Sequence, residues 1–303
     1  MRSSMIKNFD QLVNQVKDQP ARTIAVALAE DADVLTALEK ARALGITRAI
    51  LTGREDKILA LFKELRIDPK PYQLVAARDE MESVQKAIEL VNSDQAQVVM
   101  KGLCSTSVFL KGILDKSSGL RSGKVISHMA VFESPGYHKL FMMSDAAMNI
   151  APDLATKVVI TENAIAAAEK LGYLLPKVAI ISAVEKVNAE GLPSSAEAAI
   201  IAKMGDRGQI RGAIIDGPLA VDTALSKESC EVKGLKSPVG GDADICIVPN
   251  IETGNAFYKL LTVLGNARVA GIIVGARTPV VLTSRADSDE SKFLSIVTAL
   301  KIS

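Results

Sequence analysis

Over its first ~120 residues the chain alternates short apolar runs with longer amphipathic stretches, a rhythm that admits few folds other than repeated strand–helix units. TIAVALA over 23–29 is short and uniformly apolar, as a strand buried on both faces must be. Asp31 or Asp33 can then cap a helix with Val34, Leu35, Leu38 and Ala41 on one face, and Gly45 ends it. RAILTG over 48–53 is the next strand, followed by a helix through Ile58, Leu61, Phe62 and Leu65. YQLVAA leads to a third helix carrying Val84, Ile88 and Val91 on one side. QVVMKG over 97–102 is a fourth strand, whose end opens onto CSTS and a helix from Val108 to Leu114. Ahead of all these, Phe9, Leu12 and Val16 fall at helical spacing.

The pattern changes near Gly119–Gly123. KVISHMAVFES over 124–134 and HKLFMMSDA over 138–146 are strand-like and separated only by Pro135-Gly136-Tyr137, which predicts a hairpin rather than a crossover. A long helix follows from Leu154 to Leu171, then strands over 178–184, 213–219 and 244–250. The helix after the last has Phe257, Leu260, Leu261 and Leu264 in helical register. Two more strand candidates, 271–276 and 279–284, precede a closing helix. The expected organisation is two α/β domains with a boundary near residue 125. Periodicity alone leaves open whether the last strand and helix return to the first domain.

With 303 residues, the chain suits one large domain or two medium ones. It is 48% hydrophobic but has no Trp and only 4% aromatic residues, so its core must be built from Ala, Val, Ile and Leu. Thirty-six basic residues nearly balance thirty-five acidic ones, which argues against a general nucleic-acid binder. No apolar run approaches the ~18 residues a membrane span needs, and MRSSMIKNFDQLVNQVKD holds no signal-peptide core. Cys104, Cys230 and Cys246 are widely spaced and odd in number, unlike a disulfide framework or a zinc site. A soluble, cytoplasmic setting is the expectation.

Familiar motifs are missing: no GxxxxGK[ST], no strand-bound GxGxxG and no GxSxG. His128 and His138 lack metal-ligand partners at useful spacing and suit structural or surface roles. What remains is a set of polar clusters at the ends of apolar runs, where ligands bind in open α/β sheets. In Lys101-Gly102-Leu103-Cys104-Ser105-Thr106-Ser107, hydroxyls meet a helix start, which favours an anion or is simply an N-cap. Asp216-Gly217-Pro218, with Asp222 beyond, serves a turn as readily as a ligand. The glycines of Ser237-Pro238-Val239-Gly240-Gly241-Asp242-Ala243-Asp244 permit close approach of a ligand, and Asn255 is a candidate to orient one. Finally, Thr283-Ser284-Arg285-Ala286-Asp287-Ser288-Asp289-Glu290 places a hydroxyl, a guanidinium and carboxylates at one sheet edge, with Asp287 or Ser288 available as a helix cap. Arg285 suits a tetrahedral phosphate because its planar fork donates two hydrogen bonds at once.

In order along the chain, KGLCSTSVFLKGIL, SHMAVFESPGYHKLFMMSDAAMNIAPDL, IIDGPLAVDTAL, SPVGGDADICIVPNIETGNAFYKLL and PVVLTSRADSDESK resemble the phosphate acetyl/butyryltransferase family. SDAAMNIAPDL together with VLTSRADSDE is similar to the butyryl branch, and the resemblance runs from about residue 20 to the end. It implies two α/β domains of isocitrate dehydrogenase-like architecture, with the active site in a cleft between them. The first would be 1–125 with 281–303 and the second, dimerising one 126–280, so a homo-oligomer is expected. The implied reaction is acyl-CoA plus phosphate giving acyl phosphate plus CoA, without a metal or a permanently bound cofactor, coenzyme A being a substrate.

The family's Ser-Arg pair matches Ser284, as donor to the reacting oxygen, and Arg285, as phosphate holder. Its STS segment matches Ser105, Thr106 and Ser107, with Lys101 alongside and Lys111 where the acetyl branch has Arg. The acetyl branch's catalytic Asp, seven positions after the serine, falls on Ser291, so the implied base is Asp289 or Asp287. Asn250 stands where Asp is more frequent, and an additional CoA-contacting Arg of the acetyl branch has no match. Asp216 and Asn255 complete the expected substrate-binding set.

Three alternatives stand beside butyryl transfer. One is acetyl transfer. Another is a metal- and nicotinamide-dependent oxidoreductase of the same architecture, for which Asp216, Asp222, Asp242 and Asp244 would have to gather around a metal. The third is a non-catalytic subunit that retains the fold, for which Ser291 would be the sign.

Overall fold

A computed structural model describes residues 6–122, 125–283 and 287–303. The chain divides into two compact units, one of residues 9–124 with 270–303 and the other of 1–8 with 125–269. The return to the first unit therefore comes at residue 270 rather than 281, and residues 6–8 belong to the second unit.

The first unit opens with α1 (Phe9–Lys17), β1 (Arg22–Ala27), α2 (Ala32–Ala43), β2 (Thr47–Gly53) and α3 (Glu55–Leu65). It continues through β3 (Gln73–Ala76), α4 (Glu80–Asn92), β4 (Val98–Lys101) and α5 (Thr106–Ile113). In the second unit come β5 (Ser127–Glu133), β6 (Phe141–Ser144), α6 (Leu154–Lys170), β7 (Lys177–Ile181), α7 (Pro193–Asp206) and β8 (Ile214–Leu219). Then follow α8 (Val221–Leu225), α9 (Lys227–Val232), β9 (Ile245–Ile247) and α10 (Ile251–Lys259). Strand β10 (Arg268–Val274) leads the chain back, and β11 (Val280–Val281) and α11 (Asp289–Ile302) finish it.

In the first unit the strands run in the order β3-β2-β1-β4-β11-β10. All neighbours are parallel except β10, which is antiparallel to β11. Register sets Ile24 beside Val98 and Met100 beside both Val26 and Val281. Every residue of β4 is buried, as a strand covered by helices on both faces requires. Helices α2, α4 and α5 start where a side chain takes up a free N–H group. Asp31 accepts from Val34 N at 3.0 Å, and Asp79 accepts from Glu82 N at 2.9 Å.

The second unit orders its strands β5-β6-β9-β7-β8. Strands β5 and β6 form the expected antiparallel hairpin, with Tyr137 N donating to Ser134 O at 3.0 Å in its turn, and the remaining neighbours are parallel. Its core stacks Phe132 on Phe141 at 5.3 Å between centroids, packed by Phe257 and Leu261. The expected register of the helix after β9 fails past Lys259. There the winding loosens to i→i+5 over Leu260–Leu264, rotating Leu260 and Leu264 outward to 57% and 73% exposure. Among the described residues no helix is long and apolar enough to cross a membrane.

Candidate active site

Strands β1, β4 and β11 are parallel neighbours, so the loops leaving their C-terminal ends emerge along one edge of the first unit. At the end of β4, Lys101 is buried and its Nζ donates to Gly102 O at 3.2 Å. Gly102 cannot be replaced without movement, because a Cβ there would lie 2.2 Å from Leu28 O. Its N–H donates to Ala27 O and that of Leu103 to Leu28 O, both at 2.8 Å, which sews the loop after β4 to the loop after β1. Cys104 is fully buried, and burial pushes its thiol up to about 11, so it holds no thiolate at neutral pH.

Ser105 is the N-cap of α5, accepting from Val108 N at 3.4 Å, and its own N–H is taken by the Glu80 carboxylate. A carboxylate therefore already occupies one of the donors at this helix start. Thr106 and Ser107 stand exposed on the first turn, with Ser107 Oγ 3.4 Å from Ser105 Oγ, and Lys111 is exposed one turn on.

Beyond β11, Leu282 and Thr283 are buried. Ser284 and Arg285 lie outside the described residues. Ser288, rather than Asp287, is the cap of α11, its Oγ accepting from Ser291 N at 3.2 Å. Ser291 is thereby part of the cap, with its hydroxyl 3.3 Å from that of Ser288. Asp289 is exposed on the first turn, and Asp287 is half-buried with its carbonyl accepting from Lys292 Nζ at 2.5 Å. The structure thus brings Lys101, Ser105, Thr106, Ser107, Asp287 and Asp289 to the ends of adjacent strands. Lys292 was missed by sequence reasoning, although a lysine at the head of a run as apolar as FLSIVTAL is a signal that could have found it.

Asp216 and Asn255 belong to the second unit. The Asp216 carboxylate accepts from Ser237 Oγ at 2.5 Å and from Gly217 N at 2.8 Å. Ser237 Oγ accepts in turn from Val239 N at 3.1 Å and Gly240 N at 2.9 Å, so the carboxylate pins the whole turn. The glycines permit close packing within that turn. A Cβ on Gly240 would meet Cys230 Sγ at 2.8 Å, and Gly241 combines φ +70° with the Lys227 backbone at 2.6 Å. Asn255 is exposed on the second turn of α10, whose cap is Asn250, accepting from Thr253 N at 2.9 Å. Asn and Asp cap equally well, which accounts for the amide at 250. In SDAAMN the buried Asp145 accepts from Ala147 N and Met148 N at 2.9 Å and from Asn149 Nδ2 at 2.6 Å, a loop organiser.

The four carboxylates that a metal site would need do not gather. Asp222 pairs with Lys233 at 2.9 Å, and Asp216 with Ser237. Asp244 accepts from Lys139 Nζ at 2.6 Å, while Asp242 accepts from Lys177 Nζ at 2.7 Å and sits 3.0 Å from His138 Nε2. Burial works to raise the Asp242 carboxyl, but Lys177 and Lys139 outweigh it and hold it well below the usual carboxylate range. Among the described residues no group of three or more His, Cys, Asp or Glu is placed to hold a metal. His128 is buried in β5 with its ring 6.3 Å from that of Tyr258.

Parallel strands that end beside ammonium, hydroxyl and carboxylate groups give an α/β protein with a ligand-binding edge. The chain belongs to the phosphate acetyl/butyryltransferase family: the family described as "Phosphate acetyl/butaryl transferase" matches residues 70–300. A phosphate butyryltransferase from Clostridium acetobutylicum is 44% identical over 295 residues, 97% of this chain and 98% of its own. A phosphate acetyltransferase from Thermotoga maritima is 40% identical over 95% of this chain and 97% of its own. Among solved structures, a branched-chain phosphotransacylase from Enterococcus faecalis superposes with TM-score 0.83 at 37% identity, covering 93% of this chain and 98% of that one. A 4-hydroxythreonine-4-phosphate dehydrogenase from Klebsiella pneumoniae shares the fold alone, with TM-score 0.58 and 10% identity over 93% of this chain and 99% of that one.

Proposed function

We propose that this enzyme transfers a short-chain acyl group, butyryl in preference to acetyl, between coenzyme A and inorganic phosphate. The 44% identity to a phosphate butyryltransferase carries the reading, because it extends over 97% of the chain and leaves neither unit outside the likeness. Towards acyl phosphate, a phosphate oxygen attacks the thioester carbonyl, the C–S bond breaks, and the CoA thiolate leaves and is protonated. In reverse, a base takes the thiol proton and the thiolate displaces phosphate. In this reading Ser284 donates to the reacting oxygen and Arg285 holds the phosphate. Asp289 or Asp287 is the base, a reading supported by their place at the start of α11. Lys101, Ser105, Thr106, Ser107 and Lys111 contact phosphate or CoA.

Coenzyme A is a substrate here, and no cofactor is held permanently. Three buried free cysteines suit the reducing cytoplasm. A homo-oligomer is supported by Val263 and Leu264, more than 70% exposed on the turn after α10.

Acetyl transfer is the second reading, favoured by the Thermotoga maritima relative. Two buried methylenes separate the substrates by roughly 1.6 kcal/mol, or about fifteenfold. The test is CoA release from butyryl-CoA and acetyl-CoA, with and without phosphate, in the presence of EDTA. Phosphate-dependent release that survives EDTA and is faster with butyryl-CoA is expected. Release from neither thioester refutes the assignment.

A further inference from the structure

Helix α11 buries every side chain from Lys292 to Leu300, and Lys292 itself is only 2% exposed. Taking an ammonium out of water is costly unless its partners repay the loss of hydration. The ion pair to Asp33 is a weak return: it spans 3.4 Å, and the Asp33 side chain is 58% exposed and screened by solvent. A methionine would fill the same volume without any charge to desolvate. Stability alone therefore does not explain why a lysine stands here.

The other contact does. Lys292 Nζ donates to the main-chain carbonyl of Asp287 at 2.5 Å. Asp287 lies two residues beyond Arg285 and directly before Ser288, the cap of α11. On the other flank Thr283 is buried at the end of β11. In the reading above, the proton-transfer group is Asp287 or Asp289, in this same short stretch.

We infer that Lys292 is a positioning residue for acyl transfer, its ammonium fixing the main chain at Asp287 and, through Asp33, tying that point to the first turn of α2. The inference rests on the acyltransferase reading above. Its energetic logic is that a displacement of about 1 Å in a reacting group costs on the order of a hundredfold in rate. A buried charge is worth keeping if it prevents that displacement.

The test compares Lys292→Met, Lys292→Arg and Asp33→Asn with wild type in the full-length protein. It measures thermal unfolding and steady-state CoA release from butyryl-CoA with phosphate. Lys292→Met should unfold near or above the wild-type temperature while kcat falls about tenfold to a hundredfold, with KM for butyryl-CoA within about twofold. Lys292→Arg, which keeps the donor, should recover part of the loss. Asp33→Asn, at an exposed position, should show a smaller fall in kcat without a stability change. A Lys292→Met protein with wild-type kcat overturns the inference and leaves the acyltransferase reading standing. So does one that loses its fold while Asp33→Asn keeps full turnover, because Lys292 is then a structural residue. If wild type itself releases no CoA in a phosphate-dependent way, the acyltransferase reading fails and takes the inference with it.

Discussion

Replacing Gly102 with alanine asks how much the first unit depends on one missing methyl group. The added Cβ would lie 2.2 Å from Leu28 O, 2.7 Å from Ala27 O and 2.8 Å from Leu28 C. The nearest of these is about 1.2 Å short of the 3.4 Å at which ordinary contact begins, and all three atoms are backbone with no rotamer to swing aside. The loop after β4 must move away from the loop after β1, which strains the two 2.8 Å hydrogen bonds from Gly102 N and Leu103 N. Overpacking costs about 1–3 kcal/mol and each of the two strained hydrogen bonds about 1 kcal/mol, so a loss of roughly 3–5 kcal/mol is expected. At about 2–4 °C per kcal/mol, the melting temperature should fall by roughly 6–20 °C. Turnover should fall too, on the order of a hundredfold, because Lys101 and Ser105 ride on the displaced loop. Calorimetry and the CoA-release assay read the two effects, and Gly136→Ala is the control, since its Cβ meets only Ser134 Oγ at 4.0 Å. A Gly102→Ala protein that melts with wild type and turns over normally would refute the claim that close approach fixes this loop.

Other expectations follow from the same geometry. Ser237→Ala removes the hub joining Asp216 to Val239 N and Gly240 N and should cost about 1–3 kcal/mol in urea unfolding. Because Asp242 has its folded pKa depressed, its pairing stabilises the protein above the unfolded value of about 3.9 and is lost as pH falls below it. Lys177→Met should therefore lower stability at pH 7 and flatten the acid limb of the stability curve below about pH 4. With Cys104 pushed up to about 11 and Cys246 to about 12, both buried, a thiol reagent at pH 8 should leave them untouched in the native protein and label them once it is unfolded. Ser284→Ala should lower kcat strongly with the fold intact, and intact turnover in both Asp287→Asn and Asp289→Asn would rule out either as the base.

Much of the first unit was legible because parallel strands buried on both faces leave continuous apolar runs, and its helices begin at capping residues such as Asp31 and Asp79. The short helices α8 and α9 were not, since five or six residues of VDTAL or KESCEV complete too few turns to display a period. Leu260 and Leu264 misled for a related reason: their spacing is helical, but the winding that carries them is not. Among the candidate site residues, position in the chain located the sheet-edge clusters but not what each group faces. Glu80 against Ser105 N and Ser237 against Asp216 are contacts across 25 and 21 residues that no local spacing encodes. Lys292 escaped because a lysine is ordinarily read as a solvent-facing residue.

The way the first unit closes has a consequence for how it is made. Arg22, at the start of β1, donates to Leu300 O at 2.9 Å and to Ser303 O at 2.6 Å, and Met100 of β4 is held beside Val281. On a growing chain, β1 to β4 emerge early, yet one edge of β4 and the face that receives α11 have to wait until the whole second unit has been synthesised. Through that interval an apolar strand edge is open to mispairing. The second unit has no such wait, since its strands lie in one stretch of sequence, and it can fold while the first is still incomplete. A stalled or clipped product lacking α11 should therefore be a stickier species than its length suggests.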